Sequence, residues 1–246
     1  MDTPPKLWMP PTPAIIRPAK IGHNGGPALA TTPFCFFGRR QQPAYINQTN
    51  ASISATNTVT FSHATIGMNA LVVLIEVDDG NVAGAPSISS VTFDGAALDM
   101  VVTAVPSPAL GFDQSSAIYA IMRPGPKTAN VVVTLAANVT GRVQAVNVAG
   151  IQAAHTSGSD VTVTPLEVAL VTTVPTIMFG AVAGRRAGAA TVTWTSGVVE
   201  ILDESPITNV TCAAGYRLST AGESYTFGVT PSAAFAAGTI AVAAFR

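Results

Sequence analysis

Charge is scarce in this chain. Acidic and basic residues together make up 10% of 246 residues, against roughly 25% in an ordinary soluble domain. Cysteine is nearly absent: Cys35 and Cys212 alone cannot form a disulfide scaffold, and both are read as reduced thiols. Long apolar runs are missing too. The longest aliphatic stretch, Ala70 to Ile75, falls far short of the roughly 18 residues a membrane helix needs, so no membrane partner is expected despite a mean hydropathy of +0.42. The opening Met1-Asp2-Thr3-Pro4-Pro5 lacks the basic and apolar regions of a secretory leader. There is no Gly-x-Ser-x-Gly elbow for a serine nucleophile. His23, His63 and His155 form no metal-ligand spacing with one another or with a cysteine. Gly22 to Gly26 is glycine-rich but has neither the lysine nor the following helix of a phosphate loop. The expectation is a protein that is not an enzyme and takes no cofactor or metal.

Proline is abundant, and unevenly so. Nine of the 18 prolines fall in the first 43 residues. Proline fixes φ and removes a donor, so residues 1–43 are predicted to form an extended arm with polyproline-like stretches. The arm is also basic. Lys6, Arg17, Lys20, Arg39 and Arg40 face only Asp2, a net +4, in a chain whose total is −1. Its basic residues are dispersed among prolines rather than gathered in a stripe, which argues against nucleic acid and for an acidic or polar protein surface. Leu7, Trp8, Met9, Ile15 and Ile16 are apolar residues on a segment that cannot build its own core. They are the candidate anchors to a partner, with Arg17 and Lys20 pairing to its acids or carbonyls.

From about Tyr45 the texture changes. Short β-prone runs, punctuated by Gly, Pro, Asn, Asp or Ser, predict strands over 53–61, 70–77, 88–94, 97–103, 116–122, 130–137, 141–149, 160–164, 176–183, 191–195, 197–203, 211–218, 224–230 and 239–245. Asn138 to Gly141 reads as the turn of a hairpin. No dozen-residue window has a capped helical period. The predicted fold is all-β: an antiparallel, jelly-roll-like β-sandwich over residues 44–246, preceded by the Pro-rich arm. The shortage of charge suggests a surface shielded in an assembly, with a homo-oligomer, a trimer, as the expected form.

Three groups of body residues could carry chemistry. Glu76, Asp78 and Asp79 could offer oxygens to calcium, but Asp79-Gly80-Asn81 after a strand reads more simply as a turn. Glu200, Asp203 and Glu204 read as a solvated strand end. Trp194 alternates with threonines and faces either the core, the preferred reading, or a sugar.

Two segments resemble known proteins. Val91-Thr-Phe-Asp-Gly95-Ala-Ala-Leu98, Ala117 to Gly125, Ala129 to Leu135 and Ala145 to Ile151 together resemble a β-sandwich module of bacterial surface and phage structural proteins. Lys6-Leu-Trp-Met-Pro-Pro11 with Pro13-Ala-Ile-Ile-Arg-Pro18 resembles an N-terminal peptide of small proteins from tailed phages and prophages of alphaproteobacteria. Ile21-Gly-His-Asn-Gly-Gly-Pro27 is similar to a second tag in the same replicons. The resemblance implies a virion structural protein on the phage particle surface. It would be a capsid decoration protein or head fibre, with its arm docked on capsid or tail proteins. The alternative is a tail accessory or receptor-binding module that recognises host surface glycans.

Overall fold

The computed structural model describes residues 42–66, 70–79, 86–105, 114–162, 165–186, 188, 190–207 and 209–246. Among these there is no helix, and every strand pairing is antiparallel. The all-β, antiparallel expectation holds.

The longest feature is a two-stranded ribbon. β1 (Ala44–Thr65) and β7 (Lys127–Ala149) pair along their whole lengths, from Ala44 opposite Ala149 to Thr65 opposite Lys127. The register slips between Ile53 and Thr58, where Ala55 adopts φ 48°. Such bulges bend a strand. Here the bend brings the two halves of β1 together: His63 Nδ1 lies 3.0 Å from Thr49 Oγ1, and Asn147 Nδ2 donates to Ala64 O at 2.6 Å.

The other edge of β7 is shared. β3 (Ile88–Phe93) pairs with its first half, and β2 (Ala70–Asp78) with its second. β6 (Gln114–Met122) lies beside β2, and β5 (Asp99–Ala104) beside β6. β4 (Ala96–Ala97) forms a hairpin with β3 through Asp94 and Gly95, whose φ values of 52° and 77° suit a right-twisted two-residue loop. Only Leu98 separates β4 from β5, so the seven strands curl into a nearly closed barrel. Leu71, Val73, Ile75, Phe93, Val133 and Val143 are among the residues that fill it.

The hairpin turn expected at Asn138 to Gly141 is not there, because β7 runs straight through it. Neither residue takes the positive φ that such a turn requires. Gly141 instead lets two backbones approach: a Cβ there would collide with the carbonyl oxygen of Glu76.

A five-stranded sheet covers one outer face of the barrel. It consists of β8 (Ala154–Thr162), β10 (Thr176–Arg185), β12 (Val199–Ile207), β13 (Val210–Ser219) and β15 (Ala237–Phe245), in the order β12-β13-β10-β15-β8. A three-stranded sheet covers its far side: β9 (Leu166–Val171), β11 (Val192–Trp194) and β14 (Ser224–Pro231).

The layers explain the composition. Along β2, Leu71, Val73, Ile75 and Val77 enter the barrel, while Ala70, Val72 and Leu74 face the five-stranded sheet. Along β15, Ala241, Ala243 and Phe245 face the barrel across β6 and β5, and Ile240, Val242 and Ala244 face the three-stranded sheet. Strands covered on both faces read as unbroken apolar runs. The scarcity of charge therefore has a source inside the chain, and no longer argues by itself for a shielding assembly.

Close layer spacing also fixes glycines. Gly180 of β10 seats the ring of Phe227, and a Cβ at Gly184 would lie 2.5 Å from the ring of Phe235.

Candidate functional site

The seven residues expected to bind a partner, Leu7, Trp8, Met9, Ile15, Ile16, Arg17 and Lys20, lie outside the described residues, as does Cys35. Within the body, polar side chains concentrate at one end of the layer between β2, β6 and β7 on one side and β10, β13 and β15 on the other.

This polar end follows from strand periodicity. Glu76 and Asp78 continue the face begun by Val72 and Leu74; Gln114 and Ser116 continue that of Ile118; Gln144 continues that of Val146. Glu76, Gln114, Ser116, Gln144 and Thr239 are 0% exposed and Asp78 1%. Burial of this kind requires partners. Gln114 Nε2 donates to Asp78 Oδ2 at 2.8 Å, and Arg185 Nη1 to Asp78 Oδ1 at 3.3 Å. Ser116 Oγ accepts the Ala183 N–H at 2.9 Å and sits 2.8 Å from Thr239 Oγ1. Gln144 Nε2 donates to Glu76 Oε2 at 3.0 Å. Arg142 closes the edge, donating through Nε and Nη2 to Glu204 Oε2, each at 2.6 Å.

Glu76 and Asp78 thus belong to β2, which ends one residue beyond the expected run, while Gly80 and Asn81 of the expected turn lie outside the described residues. The two acids keep the two-residue period of β2, and that period was the signal for their burial. Glu204 is exposed, as expected of a solvated strand end, while pairing with Arg142, and Asp203 Oδ2 accepts the Val192 N–H at 3.0 Å.

Ser116 ties β6 to β10 and β15 through its hydroxyl. Cys212 is a free thiol, fully buried, and burial above all pushes its pKa well above the ordinary value. A buried thiol of that kind is inert as a nucleophile. Among the described residues no three His, Cys, Asp or Glu side chains gather closely enough to hold a metal. His155 lies at the surface, where its Nε2 accepts the Thr173 N–H at 3.3 Å.

His63 is 2% exposed, and burial pulls its pKa below the ordinary 6.5, against a weaker upward pull from Asn147. The unfolded chain therefore takes up a proton near pH 6.5 that the folded chain resists. Stability should fall as the pH drops below that value and through the lowered folded one. Urea midpoints measured across this range are expected to show an acid decline in the parent that is flatter in His63→Gln.

Trp194 goes to the core. Its indole lies edge-to-face on Phe227 with centroids 5.6 Å apart and covers Gly215, leaving the side chain half-buried. Beside it, Arg217 stacks on Tyr225 at 3.9 Å and pairs with Glu223, fastening β13 to β14. Comparison with protein-family models, with curated proteins and with solved structures finds no match for this chain.

Proposed function

We propose that this chain is a structural protein of a phage virion, of the capsid decoration or head-fibre type. Its N-terminal arm docks on capsid or tail proteins, and its β body is displayed outward. The observation that carries this reading is a division of labour within one chain. Residues 1–43 concentrate prolines, basic side chains and apolar residues such as Trp8, Ile15 and Ile16 on a stretch too proline-rich to fold alone. The body, by contrast, uses its buried polar groups to join neighbouring strands and layers of its own.

A proline-stiffened peptide loses less conformational freedom on docking than a flexible one. Several copies, as in a trimer, would add avidity. The tail-associated, glycan-recognising alternative has less to rest on, since Trp194 packs against Phe227. Locating the protein in density of purified particles tests the proposal. Regular occupancy of the capsid surface is the expected result. Absence from particles would refute it, and confinement to the tail tip would favour the receptor-binding alternative.

A further inference from the structure

Glu76 presents an accounting problem in hydrogen bonds. Its side chain is wholly buried, and only Oε2 has a donor, the Gln144 carboxamide nitrogen at 3.0 Å. Glu76 Oε1 has no partner, and neither has Gln144 Oε1, the other oxygen of the same pair. Two acceptors left over on two side chains already joined by one bond call for a single shared hydrogen.

The surrounding charges do not remove the need. On β7, Arg142 is directed to Glu204 of β12 through two nitrogens. On β10, Arg185 is bonded to Asp78 of β2. From β13, Cys212 presents its Sγ to the Glu76 backbone carbonyl oxygen at 3.6 Å, not to its carboxyl. Of the uncharged β6 neighbours, Ser116 is committed to Thr239 and Ala183, while Gln114 donates to Asp78 and keeps an unpartnered Oε1, an acceptor that can offer Glu76 Oε1 no hydrogen.

We propose that Glu76 holds its proton at neutral pH and, as a neutral acid, closes a two-bond ring with the Gln144 carboxamide, making the junction of β2 and β7 a pH-sensitive clamp at the polar end of the layer. Glu76 Oε1–H donates to Gln144 Oε1 while Gln144 Nε2–H donates to Glu76 Oε2. One proton satisfies both orphaned oxygens and leaves no unpaired carboxylate on Glu76. Loss of that proton strands a buried negative charge that no unengaged cation faces. The direction of its titration agrees: burial raises the Glu76 pKa well above 4.5, against the opposing pulls of Gln144 and Arg142.

The sign of the effect follows. The folded chain keeps a proton that the unfolded chain releases near pH 4.5. The contribution of Glu76 is complete below that value and is lost as the pH rises towards and through the raised folded one. Urea unfolding of the full chain, compared with Glu76→Gln, is the experiment. The carboxamide variant retains the shape without the titration. From pH 4.5 upward, the unfolding constant of the parent relative to the variant should grow by up to about tenfold per pH unit. Infrared spectra of the parent labelled with carbon-13 glutamate should show one protonated carboxyl band at neutral pH, absent in Glu76→Gln and moved in Gln144→Leu. Parallel pH profiles for parent and Glu76→Gln would overturn the proposal. So would a parent spectrum without the protonated band, a readout that remains even if a variant fails to fold.

Discussion

Gly141→Ala is expected to cost about 3 kcal/mol or more of stability, the largest loss anticipated from one added methyl group in this molecule. Gly141 lies opposite Val77 in the β2–β7 pairing, and its Cβ would strike the backbone oxygen of Glu76 and lie 2.9 Å from the Cα of Val77. A side chain in the way can rotate. A backbone in the way must move, and here β7 is held by β1 on one edge and by β2 and β3 on the other. Separating the strands would also disturb the Glu76–Gln144 pair beside them. Urea unfolding should show a large drop in midpoint with the slope nearly unchanged. The comparison is Gly95→Ala, where a Cβ meets nothing within 4 Å and only the positive φ is at stake. A similar small loss at both sites would show that β2 and β7 are not packed as described.

Phe227→Ala is expected to cost about 3–5 kcal/mol. The ring is 0% exposed and links the five-stranded and three-stranded sheets, lying on Gly180 with Trp194 and Tyr225 edge-on to it. Removing it leaves a cavity that the flanking strands cannot close without tilting one sheet on the other. The partnership with Gly180 gives a sharper expectation. Gly180→Ala alone should destabilise by about 1–3 kcal/mol through overpacking, because its methyl group occupies the place of the ring. In the Phe227→Ala background the same methyl group enters the vacated space, and its cost should largely disappear. A double-mutant cycle measures that coupling directly. Additive losses would mean that the ring does not sit on the glycine.

Much of the strand pattern was readable from residue periodicity. β2, β3, β6, β10, β13, β14 and β15 fall within a few residues of the expected runs, because each is a β-prone run bounded by turn residues, unbroken in apolar character where both faces are covered, as in β2, β10 and β15. The Asp94-Gly95 hairpin lies in the segment singled out by its resemblance to a β-sandwich module, and both of its loop residues take positive φ. The ribbon of β1 and β7 was not readable. Asn138 to Gly141 has turn composition, but a glycine serves equally well where another backbone must come close, and local sequence does not separate the two uses. The stacking of layers was hidden for a similar reason. Val72 and Val73 show that both faces of a strand are apolar, not whether another sheet of the same chain or a partner covers them. The polar end was hidden for the same reason: Glu76 stood within an expected strand, but its burial comes from the sheet laid over β2, which local sequence does not show. His63, placed at a strand end by its sequence context, gains its buried site only when the bend in β1 brings Thr49 beside it.

The central claim is that the arm attaches the protein to a virion and the body does not. Every core described here lies within residues 42–246, so a chain beginning at Gln42 should keep its cooperative unfolding. The most direct test adds the full chain and this shortened chain to phage particles stripped of the protein, then measures co-sedimentation over a range of concentrations. The full chain should rebind to saturation, while the shortened chain should remain in the supernatant at every concentration used. Equal binding by the two chains would contradict the account and place the docking surface on the β body.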